Sequence, residues 1–532
     1  MVNKIQIYDT TLRDGAQREG ISFSVVDKIR IARKLDDLGI HYIEGGWPGS
    51  NPKDTEFFSQ ASKLPFINSR IVAFGATRKP NTEPERDANL LALRDSNIDL
   101  VTLVGKSSVL QVKKVLQTSP AENLRMISES IDFLRREGKT VFFDAEHFFD
   151  GFKADKEYAL ASLRAGIEAG ASSLILCDTN GGALPEEVAR AVAAVCRITD
   201  TQIGIHAHND SGLAIANSLA AVSAGATNVQ GTINGYGERC GNANLCAVIP
   251  DLQLKMRFDC VTDEQLAKLT EVSHYISELA NLAPDPFMPY VGASAFSHKG
   301  GFHVSGMSKW KESYQHVDPI KVGNHSKVTV SELSGKQNII AKSRELGLDL
   351  SIQDKEVPKL LGEIKTLESL GFQYEQAEAS FELLIRRAKP DYLPPFRLVD
   401  FMVVVEKRRR QPSAKRKSAM LSEAMVKVTI DGELIHTAAE GNGPINALDA
   451  ALRKALLQFY PSLAKVTLVD YKVRILEESV GTSSQVRVLI ESSDGGTAWR
   501  TVGSSTNIIE ASWLALADSL EYWLVKHAPV SR

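Results

Sequence analysis

The feature that most constrains this chain is a strand–helix alternation that repeats through about the first 260 residues. Eight short runs rich in β-branched and apolar residues are candidate strands: KIQIYDT, HYIEGG, RIVAFG, LVTLVG, TVFFDAEHF, SLILCDT, QIGIHAH and NVQGTING. Segments with apolar residues at helical spacing, such as DKIRIARKLDDLG, separate these runs. Eight such units predict an α/β fold of the (β/α)8 TIM-barrel type. The alternative is a doubly wound open sheet, which the lack of a GxGxxG motif after the first run disfavours.

Composition limits the classes of protein that this chain can belong to. The 532 residues are 43% hydrophobic and 24% charged, as in globular proteins of two to four domains. A balance of 62 basic and 65 acidic side chains argues against a dedicated partner such as nucleic acid or a membrane surface. No run approaches the roughly 20 apolar residues of a membrane span, and MVNKIQIYDTTLRDG does not resemble a signal peptide. Five cysteines without a CxxC pair fit a reducing compartment, so we expect a cytoplasmic protein.

Changes of pattern divide the chain into four predicted segments. Residues 1–275 form the barrel, and residues 276–405 read as mainly helical linker subdomains, with SHKGGFHVSGMSK as a loop or short turn. A basic flexible linker follows at 406–420, where KRRRQPSAKRK is interpreted as a solvated connection. Residues 421–532 form a separate C-terminal α+β domain.

The C-terminal segment contains a weak internal duplication. The strand pair MVKVTIDGELI, with its DG turn, precedes the helix NGPINALDAALRKALLQF, and this order repeats further on. The helices share apolar spacing at an offset of 64 residues, pairing Ile445, Ala447, Leu452 and Leu456 with Ile509, Ala511, Leu516 and Leu520. We therefore predict two β–β–α halves packed together. Their apolar helix faces predict dimerisation.

The strongest chemical signal is the combination of Asp14 with His206 and His208. IHAHND places the two histidines at i and i+2 of a strand, so their side chains point to the same face. The carboxylate follows the first strand, which neighbours the second and eighth strands in a closed barrel. Two imidazoles and one carboxylate leave about half of an octahedral shell open. The set predicts a catalytic divalent cation rather than a closed structural site.

Two flanking segments extend this prediction. In TTLRDGAQ, Arg13 places a permanent cation next to the metal ligand Asp14, where it can stabilise charge developing on a carbonyl oxygen. GERCGNAN is a glycine-rich loop after the eighth strand, and its Asn242 could supply a further oxygen ligand.

The motifs IYDTTLRDGAQ, IHAHND and GYGERCGNANL resemble those of the metal-dependent Claisen-condensing acyltransferases, the family of isopropylmalate, homocitrate and citramalate synthases. The variants EGGWPGSNPKD, SHKGGFHVSG and VGNHSKVTVSELSGKQN are most similar to the members that use pyruvate. The tail, with EGNGPINALDAAL and GSSTNIIEAS, resembles the family's regulatory domain, which binds a feedback amino acid. The resemblance covers nearly the whole chain.

The resemblance implies roles for individual residues. Asp14, His206 and His208 match metal ligands, and Asn242 lies on or near the ion, for which Mg²⁺ or Mn²⁺ is expected and Zn²⁺ or Co²⁺ is possible. The implied catalytic set is Arg13, Glu146, His303 and Tyr314, and the implied substrate-binding set is Arg13, Gln17, Asp144 and Thr179. DAEHFFDG departs from the form common in isopropylmalate synthases, so Asp144 remains an alternative to Glu146 as the functional carboxylate. The region of His303 and Tyr314 covers the barrel mouth of the partner subunit in this family.

The expected reaction condenses acetyl-CoA with pyruvate and hydrolyses the thioester, as the first step of a threonine-independent route to isoleucine. The expected partners are these two substrates, isoleucine as feedback ligand of the C-terminal domain, and a second copy in a homodimer or higher oligomer. Phe74, Leu103 and Asp144 are the expected walls of the pyruvate pocket. Three alternatives remain: a 2-isopropylmalate synthase, an acyl-CoA lyase, for which Cys240 occupies the matching loop, and a non-catalytic amino-acid sensor.

Overall fold

The computed structural model forms two compact units, one of residues 1–296 and 316–326 and the other of residues 297–315 and 327–532. The structure describes residues 4–329, 336–348, 356–406, 421–476 and 484–527. The basic stretch 407–417 therefore lies outside the described residues. In the described part of the chain, no helix is long and apolar enough to cross a membrane.

The first unit is a closed barrel of eight parallel strands in sequential order. The strands are β1 (Gln6–Asp9), β2 (Tyr42–Gly46), β3 (Arg70–Ala76), β4 (Leu100–Lys106), β5 (Thr140–Glu146), β6 (Ser173–Asp178), β7 (Gln202–Ala207) and β8 (Asn228–Gly231). The register of β1 against β8, with Ile7 opposite Val229, closes the barrel. Each strand coincides with one of the eight predicted runs, so the barrel prediction is confirmed.

Helices surround this barrel and follow its strands along the chain. They are α1 (Val25–Asp37), α2 (Pro52–Ala61), α3 (Ala88–Arg94), α4 (Val109–Lys114), α5 (Pro120–Arg136), α6 (Phe148–Ala154), α7 (Lys156–Glu168), α8 (Pro185–Cys196), α9 (Ala214–Ser223), α10 (Leu245–Pro250), α11 (Asp263–Leu266) and α12 (Leu269–Leu279). Local signals set several starts: Ser24 and Asp27 form a capping box at α1, and Ser119 accepts from the Glu122 N–H at α5.

The alternation of side chains along the strands determines which residues reach the active end of the barrel. A separate aromatic and aliphatic cluster fills the barrel interior, formed by Tyr8, Tyr42, Val72, Leu100 and Phe142. Residues two and four positions further along the same strands point to the same side. Inside the barrel, the polar groups at the carboxyl ends of the strands therefore lie above an apolar floor, as in other barrels with an active site at that end.

The second unit begins with short elements and helices and continues into two three-stranded sheets. Its strands are β9 (Ser297–His298), β10 (Lys327–Val328), β11 (Arg397–Glu406), β12 (Leu421–Ile430), β13 (Glu433–Gly441), β14 (Thr467–Ile475), β15 (Val486–Ser493) and β16 (Ala498–Ser505). Its helices are α13 (Gly301–Lys309), α14 (Lys336–Glu345), α15 (Glu356–Ser369), α16 (Glu378–Arg387), α17 (Pro444–Leu456) and α18 (Ile508–His527).

The two predicted halves are present, and each has one strand more than the β–β–α pattern. Antiparallel β11, β12 and β13 precede α17, and antiparallel β14, β15 and β16 precede α18. The duplication extends to hydrogen bonds, because Thr437 donates to the Ala451 carbonyl and Thr501 to the Ala515 carbonyl, both at 2.7 Å. Strand β11 pairs with β12 and so belongs to the first sheet, although the sequence analysis placed most of β11 in the helical linker subdomains. The predicted domain limits stay predictions.

One expectation about the segment between barrel and sheets was wrong. SHKGGFHVSGMSK was expected to be a loop or short turn, but residues 301–309 form helix α13. The stretch DEQLAKLTEVSHYISELAN forms two helices, α11 and α12. Helix α15 ends at Ser369, and Gly371 adopts φ +91° just beyond it.

Candidate active site and metal centre

Three side chains converge at the carboxyl end of the barrel. Asp14 Oδ2 lies 3.7 Å from His206 Nε2 and 3.9 Å from His208 Nε2. The two Nε2 atoms are 3.3 Å apart. All three residues are buried, and among the described residues they form the cluster with metal-ligand geometry. The fold therefore brings the three predicted metal ligands together as a candidate metal site.

The barrel brings these residues together through strand register. His206 is on β7 and His208 follows two residues later, so both rings turn toward the barrel axis. Strand β8 separates β7 from β1, and Asp14 lies in the turn after β1. Since the strands are parallel, their carboxyl ends meet at one rim.

The donor set fits a divalent cation. Ligand atoms about 2.1 Å from one ion lie about 3.0 Å apart when adjacent and about 4.2 Å apart when opposite. The three observed separations lie within this range. Asp14 Oδ1 is buried and makes no hydrogen bond within the described residues, as expected for an oxygen that faces a cation.

Protonation states support the same assignment. Burial lowers the pKa of both histidines, that of His208 to about 3, so neutral imidazoles face the site at neutral pH. Burial would raise the pKa of Asp14, but the Arg13 guanidinium holds it below its ordinary value. The site can thus offer a cation the nitrogen lone pairs of two neutral imidazoles and one carboxylate.

Gln230 is a functional neighbour that the sequence analysis missed. Its side chain is fully buried on β8, and its Oε1 accepts a hydrogen bond from His206 Nδ1 at 2.8 Å. Its Nε2 donates to Asp144 Oδ1 at 3.3 Å. The bond to Nδ1 leaves the Nε2 lone pair of His206 directed at the space between Asp14 and His208. The available signal was its position two residues after Asn228, on the inward face of the eighth strand.

We expect Gln230→Leu to weaken Mn²⁺ binding by about 10- to 100-fold, because the tautomer and orientation of His206 are no longer set. The measurement is Mn²⁺ titration of the chelator-treated protein by calorimetry. Gln202→Leu is the matched control, since Gln202 is on the adjacent strand at the opposite end of the barrel and bonds Gln6. Equal Mn²⁺ affinities for the two variants would contradict the positioning role.

Arg13 is held beside the cluster by two carboxylates. Its Nε donates to Glu44 Oε1 at 2.6 Å and its Nη1 to Asp14 Oδ2 at 3.0 Å. The guanidinium lies 3.9 Å from the centroid of the Phe74 ring. Glu44 is itself fixed by the Tyr8 hydroxyl at 2.5 Å. These contacts fix the plane of the guanidinium, while its Nη2 makes no hydrogen bond to the described residues.

The glycine-rich loop places Asn242 next to His208. The two residues form an isolated antiparallel bridge, and the Asn209 N–H donates to the Gly241 carbonyl at 2.8 Å. A Cβ on Gly241 would lie 1.9 Å from the Gly235 carbonyl oxygen, and φ is +84° there. Glycine is therefore required at this turn. The side chain of Asn242 is buried near the predicted ligands.

The two competing carboxylates on β5 have different surroundings. Burial, with a further contribution from Glu44, raises the pKa of Asp144 well above its ordinary value, which favours the protonated acid. Glu146 forms an ion pair with Lys106 at 2.5 Å. Lys106, opposite Glu146 on β4, is a second neighbour that the sequence analysis missed.

The remaining predicted residues fall into two places. Thr179 is half-buried just after β6, and its Oγ1 accepts from the His147 N–H at 2.9 Å; Gln17 is exposed in the turn after Asp14. His303 and Tyr314 belong to the second unit, where their rings stack with centroids 4.3 Å apart. Their predicted roles in catalysis stay predictions.

One of the three residues expected to line the acceptor pocket does not face the site. Phe74 contacts Arg13 and the ring of Trp47, and Asp144 contacts Gln230, so both face the site. Leu103 instead belongs to the core between strands and helices. The reason is strand parity, since its neighbour Thr102 points inward to the Tyr8 hydroxyl.

The closed (β/α)8 barrel and the cluster of two histidines and one carboxylate at its carboxyl end define the class of barrel proteins with a candidate metal centre. The family model described as HMGL-like matches residues 4–276, and its family is metal-dependent. The model described as homocitrate synthase post-HMGL domain-like matches residues 290–371, and the LeuA allosteric (dimerisation) domain model matches residues 375–524. The three matches follow one another along the chain.

Curated relatives match over nearly the full length. The chain is 52% identical to an (R)-citramalate synthase of Aquifex aeolicus (strain VF5) over 99% of both chains, and 51% identical to one of Geobacter sulfurreducens over 98% of both. It is 32% identical to a 2-isopropylmalate synthase of Pyrococcus furiosus over 98% of this chain and 99% of the relative. The chain belongs to the isopropylmalate and homocitrate synthase family of condensing acyltransferases, within its citramalate synthase group.

Proposed function

We propose that this protein condenses acetyl-CoA with pyruvate and hydrolyses the product thioester, releasing (R)-citramalate and CoA. The observation that carries the proposal is the convergence of Asp14, His206 and His208 beside the fixed guanidinium of Arg13. Support for pyruvate as the acceptor comes from five relatives, 44–52% identical, that are named (R)-citramalate synthase.

The proposed cofactor is Mg²⁺ or Mn²⁺, held by Asp14, His206 and His208, with Asn242 close by. Because two nitrogen donors also suit Zn²⁺ or Co²⁺, the identity of the metal is to be measured by reloading the metal-free protein with each ion. When bound, the cation supplies Lewis acidity toward the carboxylate and keto oxygens of a 2-oxo acid.

The protein residues are proposed to bind and orient the acceptor. Arg13 donates from Nη2 to the keto oxygen and stabilises the negative charge that develops there. Thr179, at the adjoining strand end, receives the acceptor carboxylate together with Gln17. Phe74 covers one side of this space, which favours a small acceptor.

The proton transfers are assigned to groups outside the metal cluster. His303, with Tyr314 stacked on it and Glu146 as its carboxylate, removes a proton from the acetyl methyl group. A bond then forms between this carbon and C2 of pyruvate, and the keto oxygen becomes a hydroxyl by taking up a proton. Water attacks the thioester carbonyl, and CoA leaves as the thiol.

The two carboxylates of β5 are distinguished by matched amide substitutions. Asp144→Asn is expected to lower kcat by less than about 10-fold, since the raised pKa of Asp144 favours a neutral side chain, which an amide resembles in shape and charge. Glu146→Gln is expected to lower kcat by about 100-fold or more. The measurement is kcat with saturating substrates, with thermal unfolding midpoints as the control for folding. The reverse order of the two losses would assign the functional role to Asp144.

The test of the proposed reaction is thiol release from acetyl-CoA in the presence of pyruvate. The purified protein is assayed as prepared, after removal of metal by a chelator, and after reloading with Mg²⁺, Mn²⁺, Zn²⁺ or Co²⁺. We expect one CoA per citramalate, loss of activity with the chelator and recovery with metal. Absence of thiol release with every metal would reject a condensing enzyme. In a parallel assay with hydroxymethylglutaryl-CoA as the only substrate, formation of acetoacetate and acetyl-CoA would indicate a lyase.

A second candidate is a 2-isopropylmalate synthase, which uses 2-oxoisovalerate as acceptor. The observation that favours it is the full-length match to the Pyrococcus furiosus relative of that name. The smaller identity, 32% against 52%, places it second.

Regulation and assembly are proposed from the match to the allosteric (dimerisation) domain model over residues 375–524. Isoleucine is the proposed feedback ligand of this domain, consistent with a place at the start of a threonine-independent isoleucine route. The proposed assembly is a homodimer or higher oligomer in the cytoplasm. Millimolar isoleucine, leucine or valine added to the same assay tests the regulatory part, and unchanged rates with all three would reject it.

A further inference from the structure

The carboxyl ends of β4 and β5 place an ion pair at the mouth of the barrel, and the proposed reaction uses only one of its members. Lys106 is the last residue of β4 and Glu146 the last residue of β5. Lys106 Nζ lies 2.5 Å from Glu146 Oε2. Glu146 has a proposed part in proton transfer, whereas the cation of the pair has no role in the steps described above.

Strand parity directs both side chains into the barrel. Leu100 of β4 and Phe142 of β5 belong to the apolar cluster in the barrel interior. Lys106 follows Leu100 by six positions and Glu146 follows Phe142 by four, so both point to the same side as these interior residues. The side chains of the pair are 16% and 25% exposed, as expected for groups that border an opening rather than the core.

The backbone that carries the pair is fixed by hydrogen bonds. The fully buried side chain of Asn123 donates to the Lys106 carbonyl at 2.8 Å, and the Ser107 N–H donates to the Glu146 carbonyl at 3.0 Å. The register of β4 and β5 places Lys106 directly opposite Glu146. The ammonium group therefore projects into the mouth from a defined position.

The pair lies across the barrel mouth from the candidate metal centre. In a closed barrel of eight strands in sequential order, β4 faces β8 and β5 faces β1. The metal cluster is built at the ends of β1 and β7, on either side of β8. Because the interior of an eight-stranded barrel is only wide enough for side chains to fill it, a small substrate at the cluster reaches toward β4 and β5.

The proposed condensation requires a donor on this side of the mouth. Arg13 is proposed to contact the keto oxygen of the acceptor, so the acetyl group must approach from the opposite side to bond the acceptor carbon. When a methyl proton leaves acetyl-CoA, negative charge develops on the thioester oxygen. A hydrogen-bond donor positioned at this oxygen stabilises the charge.

The neighbouring inward residues do not provide such a donor. At this end β3 contributes apolar side chains, Phe74 among them, and Val104 precedes Lys106 on the inward face of β4. Asp144 lies deeper on β5, is buried and bonds Gln230. Among the described inward residues of these three strands at the mouth, Lys106 is therefore the group that offers a cationic donor.

We propose that Lys106 is a catalytic residue, whose Nζ donates to the thioester oxygen of acetyl-CoA while the methyl carbon loses a proton. The inference rests on the function proposed above. The C–H bond breaks, the proton goes to the base, and the electron pair forms the carbon–carbon double bond of an enolate whose oxygen accepts from Lys106. When this carbon bonds C2 of pyruvate, the thioester carbonyl is restored and Lys106 keeps its proton. Glu146 Oε2 orients the ammonium group.

The first test compares kcat of single and double variants with saturating acetyl-CoA, pyruvate and Mn²⁺. Lys106→Met removes the donor and is expected to lower kcat by about 100- to 1000-fold. Added to Glu146→Gln, it is expected to lower kcat by at least about 10-fold more, because the donor contacts substrate and does not act only through the carboxylate. Lys153→Met is the matched control, since Lys153 pairs with Glu187 outside the barrel, and should stay within about 2-fold of wild type.

The second measurement isolates the deprotonation step. Exchange of the acetyl methyl protons of acetyl-CoA with solvent deuterium is followed by mass spectrometry in the presence of oxamate, a pyruvate analogue that is not an acceptor. Lys106→Met is expected to slow this exchange by about 100-fold or more, while Mn²⁺ and oxamate affinities change by less than about 3-fold. Circular dichroism and unfolding midpoints check that each variant is folded.

An additional loss of kcat in the double variant, together with slowed exchange in Lys106→Met, would support the proposal. A double variant as fast as Glu146→Gln alone would reject it, because Lys106 would then act only through Glu146. Near wild-type kcat in Lys106→Met would also reject it and would leave the proposed function standing, provided that the wild type releases CoA with pyruvate. If the wild type shows no exchange with oxamate, the comparison of kcat decides. A wild type that neither exchanges methyl protons nor releases CoA would reject the proposed function together with the role of Lys106.

Discussion

Asp14→Asn is expected to reduce turnover by about 1000-fold or more, which is the largest loss that a single substitution should cause in this protein. Asp14 supplies the only carboxylate of the described three-residue cluster, and its Oδ2 also holds Arg13. An amide at this position loses the charge that attracts the cation, so metal binding and acceptor polarisation fall together. The measurements are kcat with saturating metal and the metal content of the purified variant.

Asp54→Asn is the matched control for this substitution. Asp54 is also a buried aspartate paired with a cation, Lys28, but it belongs to α2 outside the barrel. The control is expected to lower thermal stability and to retain metal. Full metal content and near wild-type turnover in Asp14→Asn would contradict the assignment of the cluster.

Arg13→Lys is expected to lower kcat/KM for pyruvate by about 100- to 1000-fold. The guanidinium uses Nε for Glu44 and Nη1 for Asp14, and the remaining nitrogen is proposed to reach the keto oxygen. A single ammonium group cannot serve three positions in a fixed plane. Mn²⁺ affinity is expected to change by less than about 3-fold, which separates this variant from Asp14→Asn.

Arg18→Lys serves as the control for Arg13→Lys. Arg18 is exposed five residues further along and lies over the ring of Tyr236, without contact to the cluster. Its substitution should leave kcat/KM within about 2-fold of wild type. Wild-type kcat/KM in Arg13→Lys, or a loss of metal binding as large as that of Asp14→Asn, would remove Arg13 from its proposed role.

The barrel and the centre of its site were predictable because they follow from periodicity. Alternating strands and helices leave few topologies, and two histidines at i and i+2 share a face of any strand. Asp14 could be added because a closed barrel brings the end of its first strand near that of its seventh. These inferences need only strand order and parity.

Residues that act through contacts were harder to predict. Gln230 sits in NVQG, where glutamine is an ordinary strand residue, and only its bonds to His206 and Asp144 reveal its position. Lys106 similarly becomes informative only through the register that places it opposite Glu146. Leu103 was misplaced because parity within its strand was not applied.

The second unit was predicted less completely, for identifiable physical reasons. RLVDFMVVVE lies before a basic segment and was assigned to the linker, and its relation to TLVDYKVRI is at 70 residues rather than 64. Helix α13 contains Gly301 and Gly306, which have low helix propensity. A Cβ on Gly306 would lie 2.7 Å from the Tyr314 ring, so close packing explains the glycine within this helix.

The central claim is most directly tested by kcat/KM for pyruvate and for 2-oxoisovalerate, measured with acetyl-CoA on the metal-loaded protein. Two additional carbons must fit beside Phe74 and Arg13, and each is worth roughly 1–3 kcal/mol in a pocket that lacks space for it. The proposed function predicts a preference for pyruvate of at least about 30-fold, with (R)-citramalate as the product. A preference for 2-oxoisovalerate would contradict it and establish the isopropylmalate alternative.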